Sequence, residues 1–97
     1  MIIVAAHIFV KPGTRESFLE AAKPCIAITN TEKGCISYTL LCDPNDEGKL
    51  MFFEEWESMA DLQAHLGAPH LADFQAATKD FRAADACVDI YEGSKRD

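Results

Sequence analysis

The stretch that decides the fold is CISYTLLCDPNDEGKLMFFEEWE, residues 35–57. It contains two runs of largely apolar, β-branched and aromatic residues, Cys35–Cys42 and 50–57, and runs of this kind are typical of β-strands. The segment between them, residues 43–48, consists almost entirely of residues that favour turns. The sequence therefore predicts two adjacent antiparallel strands joined by a hairpin loop.

On the amino-terminal side, residues 2–10 are apolar at both odd and even positions and are followed by Lys11-Pro12-Gly13, which predicts a strand covered on both faces. Thr14 is placed to cap a helix, and apolar residues follow it at helical spacing: Phe18, Leu19, Ala22, Ile26 and Ala27. We expect this helix to kink at Pro24 and to end near Lys33-Gly34, where glycine would supply a left-handed cap.

On the carboxy-terminal side, Ser58 and Asp61 predict a capping box for a helix over Met59–Leu66. Gly67-Ala68-Pro69 interrupts that helix, and Pro69 suits the first position of another one, which we expect to reach about Phe81. A last strand is expected over residues 86–92, followed by a polar tail.

The resulting order, β-α-β-β-α-β, predicts one α+β domain over residues 1–97 with the ferredoxin-like fold. Its four strands form an antiparallel sheet with the helices on one face. The first strand, however, is apolar on both sides, with Ile2, Val4, Ala6, Ile8 and Val10 opposite Ile3, Ala5, His7 and Phe9. Helices can cover only one side, and monomers avoid large exposed apolar patches. We therefore expect a homodimer in which two sheets pack face to face.

Charge and composition exclude several classes of function. The chain has 16 acidic and 9 basic residues, a net charge of −7 and no cluster of lysine or arginine. Binding to nucleic acid or to an anionic membrane is therefore not expected. No apolar run approaches the ~20 residues of a membrane span, and the first residues lack the basic segment of a signal peptide. These features predict a cytoplasmic protein.

Polar and aromatic residues are concentrated in FFEEWESMADLQAHLGAPH, residues 52–70. His65 and His70 would point about 140° apart on a continuous helix, although the break at Gly67-Ala68-Pro69 changes that geometry. No H-x-x-x-H or C-x-x-C pair accompanies them, so we expect no metal site.

Three other residues of this stretch are candidates for a pocket. Glu54 and Glu55 are neighbours on a strand and face opposite sides, so they are not a paired acid–base site. One of them is expected to meet solvent or a strand partner, and the other to lie at a pocket mouth. Trp56 shares a face with Phe52, and it is either plain core or the flat wall of an aromatic ligand's pocket with an N–H to donate.

Several short motifs together resemble the antibiotic biosynthesis monooxygenase family, and in particular its YgiN-like quinol monooxygenase branch. They are Glu55-Trp56-Glu57-Ser58, Leu62, His65-Leu66, Pro69-His70, Phe74, Lys11-Pro12-Gly13 and Gly34-Cys35-Ile36-Ser37-Tyr38. The resemblance implies a dimeric α+β barrel of ferredoxin-like subunits. It also implies oxidation of phenols, quinols or anthrone-like polyketides by O₂ without metal, flavin or other cofactor.

The resemblance also assigns site residues. Trp56 matches the pocket tryptophan of the polyketide oxygenases, whereas Phe52 and Leu62 replace their pocket asparagine and tyrosine, which argues against anthrone-type substrates. The asparagine, tryptophan and histidine of the haem-degrading relatives fall at Ala6, His65 and Gln75, which argues against haem degradation.

Catalytic roles are therefore expected for His65, as the base, and for Trp56, as stacking wall and donor. The expected substrate-binding residues are Phe52, Leu62, Ala6, His70 and Phe74. We further expect His70 to hold the helix break through a hydrogen bond.

Two functions follow from these observations. The first is a cofactor-independent monooxygenase acting on a quinol or small hydroxylated aromatic. The second is a dimeric barrel that binds or isomerises a small ligand without oxygenase activity, because fold does not fix function.

Overall fold

The computed structural model describes residues 1–97 and confirms the predicted α+β, ferredoxin-like order of elements. In chain order these are β1 (Ile2–Phe9), α1 (Arg15–Thr29), β2 (Cys35–Cys42), β3 (Lys49–Trp56), α2 (Met59–Leu66), α3 (Pro69–Thr78), a single 3₁₀ turn (Lys79–Phe81) and β4 (Cys87–Glu92). The four strands form one sheet in the order β2-β3-β1-β4, and all neighbouring strands are antiparallel.

Helix α1 differs from the prediction at both ends. Thr14 does not cap it through its side chain, because the hydroxyl donates to the Lys11 carbonyl at 2.7 Å. The helix ends at Thr29 rather than near Lys33, because the Asn30 amide donates to the carbonyls of Ile26 (2.9 Å) and Tyr38 (3.2 Å) and fixes the chain end there. Pro24 lies inside the helix as predicted.

Other element bounds are also corrected. Strand β1 stops at Phe9, since Val10 forms only an isolated bridge with Arg82. Strands β3 and β4 cover Lys49–Trp56 and Cys87–Glu92 rather than residues 50–57 and 86–92. Helix α3 ends at Thr78, whose hydroxyl donates to the Phe74 carbonyl at 2.9 Å, and the chain then tightens into the 3₁₀ turn instead of continuing as helix to Phe81.

Two predicted helix starts are confirmed. The Asp61 backbone N–H donates to the Ser58 hydroxyl at 3.2 Å, which satisfies a free donor at the start of α2. Pro69 is the first residue of α3, where its missing N–H costs no helical hydrogen bond. The short break between these helices allows α2 and α3 to pack over the same face of the sheet.

The core lies between the helices and one face of the sheet, which we call the helix-side face. Every second residue of β1 and β3 points into this core, and Phe18, Ala22 and Cys25 of α1 are also part of it. No helix has the length and apolar character needed to cross a membrane.

The opposite face of the sheet, which we call the open face, has no helix over it. It presents Ile3, Ala5, Phe9, Met51 and Phe53, all of which are partly exposed. Every residue of β4 is exposed, including Val88 and Ile90, because the helices do not extend over that edge strand.

Candidate active site

The structure brings the sequence-predicted site residues together under the helices. The residues predicted for catalysis and binding are buried on the helix-side face: Trp56, His65, Phe52, Leu62, Ala6 and Phe74. His70 lies at the rim, with 14% of its side chain exposed. Phe52 and Phe74 pack edge to face with ring centroids 5.8 Å apart, so these apolar members also form core.

A buried carboxyl group, Glu54, lies at the centre of this cluster. It is two residues before Trp56 on β3, so both side chains point to the helix-side face. The Trp56 Nε1–H donates to Glu54 Oε1 at 3.0 Å. The indole donor expected to face a substrate is therefore engaged by a carboxyl group, and Trp56 positions Glu54.

The surroundings of Glu54 change its acidity. Burial raises the pKa of its carboxyl group to about 7, and the negative charge of Glu32 adds to this effect, while the hydrogen bond from Trp56 opposes it. A carboxyl group with a pKa near 7 exchanges a proton readily at neutral pH, as general acids and bases must. Glu55, on the open face, instead accepts a hydrogen bond from Ser37 at 2.7 Å.

His65 and His70 both contact Glu32, in the turn after α1. His65 Nδ1 lies 2.8 Å from Glu32 Oε2, and His70 Nε2 lies 3.1 Å from Glu32 Oε1. His70 Nε2 is also 3.1 Å from the Thr29 hydroxyl. On a continuous helix the two imidazoles would point apart, but the break at Gly67-Ala68-Pro69 separates α2 from α3, and both imidazoles reach one carboxylate. The predicted hydrogen bond of His70 is confirmed, and its partner is the Thr29 hydroxyl.

His65 is buried between aromatic rings. Its ring centroid lies 4.9 Å from that of Trp56 and 5.3 Å from that of Tyr38. Burial lowers the pKa of His65 below its ordinary value, although the Glu32 carboxylate works in the opposite direction. The imidazole is therefore neutral at pH 7. An ionised carboxylate only accepts hydrogen bonds, so Nδ1 carries the proton towards Glu32 and Nε2 keeps a lone pair.

Tyr38 completes the buried polar group. It pairs with Glu54 across β2 and β3, and its ring lies 5.0 Å from Phe52. Burial raises the pKa of its phenol, so the hydroxyl stays protonated.

Sequence reasoning missed the roles of Glu32, Tyr38 and Glu54. Strand alternation from Phe52 to Trp56 places Glu54 on the buried face, but the prediction was only that one of the two glutamates lies at a pocket mouth. Glu32 lies in a turn, where no periodicity marks it.

Solvent reaches this cluster through two clefts. One, of about 390 Å³, is lined by Glu32, Lys33, Ala60, Asp61, Ala64 and His65. The other, of about 210 Å³, lies between α1 and α3 beside His70 and Phe74. The first has the size of a small-molecule site and gives access to the histidine–glutamate pair.

The chain is similar in sequence and in structure to several known proteins. The model of the family described as "Antibiotic biosynthesis monooxygenase" matches residues 1–77. The chain is 34% identical over 91 residues to the uncharacterized protein sll1783 of Synechocystis, and this match covers 94% of the chain but only 62% of that longer relative. It is 29% identical over 89 residues to the Escherichia coli protein "Probable quinol monooxygenase YgiN", covering 81% of this chain and 86% of that one. The solved structure of Rv0793 from Mycobacterium tuberculosis aligns with a TM-score of 0.87 at 25% identity, covering 98% of this chain and 96% of that one.

Proposed function

Because the chain belongs to the antibiotic biosynthesis monooxygenase family, we propose that it oxidises a quinol or small hydroxylated aromatic with O₂ and without a cofactor. The observation that carries the proposal is the buried acid–base group. In it, a neutral His65 held by Glu32 contacts the same tryptophan that binds Glu54. The relative named as a quinol monooxygenase supports the substrate class.

The reaction balances with the substrate as the only reductant. A hydroquinone and O₂ give a hydroxyquinone and water: one oxygen atom enters the ring, and the other leaves as water with the two hydrogens removed. The four electrons taken up by O₂ all come from the ring. The protein's task is therefore proton transfer and charge stabilisation in a site that excludes water.

His65 is the base in this scheme. Its free Nε2 takes the proton of the substrate hydroxyl, and the electron-rich phenolate then reacts with O₂. The Glu32 carboxylate fixes the tautomer and stabilises the imidazolium as it forms, which is how an oriented histidine works in general.

Glu54 is the acid. In its protonated form it delivers the proton that the departing oxygen needs when the O–O bond breaks. Trp56 holds the carboxyl group in place and supplies a flat wall. We place the substrate ring in the cleft beside Glu32 and His65. The other expected binding residues do not line that cleft: Phe52, Leu62 and Ala6 are buried core, and His70 and Phe74 line the second cleft.

A homodimer is part of the proposal. The apolar residues of the open face would leave a large patch in water. Packing the open faces of two chains together removes that patch and stiffens the sheet that carries the site. A cytoplasmic location, without membrane or nucleic-acid partners, stays a prediction.

A second candidate is supported by the same acid–base group. Glu54 and His65 could move a proton between two carbons of a carbonyl compound without any O₂. In that case the protein would isomerise a small ligand.

Oxygen uptake distinguishes the two functions. Chelator-treated protein would be mixed with a panel of quinols, and O₂ consumption and isotopic oxygen in the product would be measured against buffer. The monooxygenase predicts one O₂ consumed and one labelled oxygen atom incorporated per substrate. Solvent deuterium exchange into the ligand under nitrogen, with no O₂ uptake on any quinol, would establish the isomerase instead.

Matched variants locate the reaction. Glu54→Gln and Glu55→Gln make the same substitution on the two faces of β3. The first should lose most of its turnover and the second should keep it. Equal turnover in both variants would remove the helix-side cluster from the mechanism.

A further inference from the structure

Two histidines and a carboxylate converge at one point in this fold, although their spacing in the sequence suggests no metal site. The donor atoms of Glu32, His65 and His70 all lie within 4.8 Å of one another. We propose that these three residues bind a divalent transition-metal ion such as Zn²⁺.

The distances are close to those that a metal needs. Zinc binds nitrogen and carboxylate oxygen at about 2.0–2.2 Å, which places neighbouring ligand atoms roughly 3–3.5 Å apart. The separations from Glu32 are already 2.8 Å to His65 Nδ1 and 3.1 Å to His70 Nε2. The two histidine nitrogens lie against different oxygens of Glu32, so the carboxylate would bind the ion through both oxygens or turn to offer one of them. The three ligand atoms, now within 4.8 Å of one another, would then draw together around the ion.

The ligand types select the class of ion. Imidazole nitrogen suits Zn²⁺, Co²⁺, Ni²⁺ and Fe²⁺, whereas Mg²⁺ and Ca²⁺ prefer sites built only of oxygen. Two histidines and one carboxylate leave at least one coordination position for water. The Thr29 hydroxyl, 3.1 Å from His70 Nε2, is close enough to orient that water.

The site is accessible and favours cations. The cleft lined by Glu32 and His65 connects it to solvent, and Asp61 lines the same cleft. Lys33 also lines it and works against cation entry, but the chain as a whole carries a net charge of −7. A field of that sign raises the local concentration of cations.

Metal binding has a consequence that rests on the proposed function. A metal on Nδ1 of His65 takes the place of the proton there, and the neutral imidazole then carries its proton on Nε2. Nε2 loses the lone pair that accepts the substrate proton. The ion is thus an inhibitor of the oxidation and not its cofactor.

Trp56 provides a direct readout of binding. It is the only tryptophan in the chain, and its ring lies 4.9 Å from that of His65. Chelator-treated protein would be titrated with Co²⁺ while its fluorescence is recorded. We expect saturable quenching at one ion per chain, and Zn²⁺ should reverse it by displacement.

Three glutamine variants test the assignment. His70→Gln and Glu32→Gln should weaken Co²⁺ binding at least about tenfold, the loss typical of damage to a metal site. His7→Gln should bind like the wild type, because His7, the third histidine, lies on the open face 3.5 Å from Asp89. Circular dichroism checks that each variant is folded. If His70→Gln does not fold, Glu32→Gln alone tests the loss of affinity.

The outcomes are distinct. Absence of saturable quenching, unchanged affinity in the folded His70→Gln or Glu32→Gln protein, or loss of affinity in His7→Gln would overturn the metal site. Turnover on an accepted quinol is then measured with Zn²⁺ added. If Zn²⁺ binds at this site and turnover persists, the metal site stands and the role of His65 as base is wrong.

Discussion

Glu54→Gln is expected to change how the stability of the protein depends on pH. Only 5% of the Glu54 residue is exposed, and burial raises the pKa of its carboxyl group from 4.5 to about 7. The folded state therefore holds this proton over a pH range in which the unfolded chain has released it. Glutamine carries no proton to lose, and its amide oxygen can still accept the Trp56 N–H.

The direction and size of this change in stability follow from the protons that the folded and unfolded states bind. Since the folded protein binds more protons than the unfolded chain between pH 4.5 and about 7, its free energy of unfolding falls as the pH rises through that range. A pKa difference of this size corresponds to about 3 kcal/mol. Relative to the wild type, Glu54→Gln should therefore gain about 3 kcal/mol between pH 4.5 and pH values well above 7.

Urea unfolding at one protein concentration, at about pH 4.5 and about pH 8.5, measures this difference. Titrating groups that do not interact with Glu54 are common to both proteins and cancel in the comparison, whereas the effect of Glu32 on Glu54 is part of the expected difference. Glu55→Gln is the control, because it removes the same charge from the open face of β3, and it should follow the wild type. Parallel pH profiles for Glu54→Gln and the wild type would refute a buried carboxyl group with a raised pKa at this position.

Three further predictions concern stability, the donor and assembly. His70→Ala removes contacts with Thr29 and Glu32 and should cost about 1–3 kcal/mol; its Tm in a thermal melt should fall, with a smaller effect on turnover. Trp56→Phe leaves Glu54 without its N–H donor. Steady-state assays should show a smaller loss of turnover for this variant than for His65→Ala. An equal or larger loss would mean that the indole, not the imidazole, is the main catalytic group. Phe53→Asp places a charge in the proposed sheet–sheet interface, at several kcal/mol if unpaired. Sedimentation of the wild type should give about twice the 10.7 kDa chain mass. Sedimentation of Phe53→Asp should show dissociation into monomers. A wild-type monomer at micromolar concentration would contradict the dimer.

Much of the fold was predictable because it depends on local patterns. Alternating apolar residues define β1 and β3, the turn residues at 43–48 define the hairpin, and Ser58 with Asp61 defines the start of α2. The end of α1 was predicted poorly because it depends on Asn30, whose amide reaches a carbonyl on β2 as well as one in the helix. Contacts of that kind join distant parts of the chain and leave no local pattern.

The site was partly predictable for the same reason. Trp56, Phe52, Leu62 and His65 lie together as expected, because each belongs to a regular element whose buried face can be inferred. The meeting of His65 and His70 at Glu32 was not predictable, because it depends on the angle between α2 and α3 and on a turn from another part of the chain.

The most direct test of the claim that His65 is the catalytic base is the turnover of chelator-treated His65→Ala on a quinol that the wild type oxidises. His7→Ala is the control variant. General-base assistance is typically worth about 10²–10⁴-fold, so His65→Ala should consume O₂ slower by that factor, while His7→Ala retains wild-type turnover. If His65→Ala consumes O₂ as fast as His7→Ala, the buried histidine is not the base, and the cluster around Glu32 and Glu54 is structural.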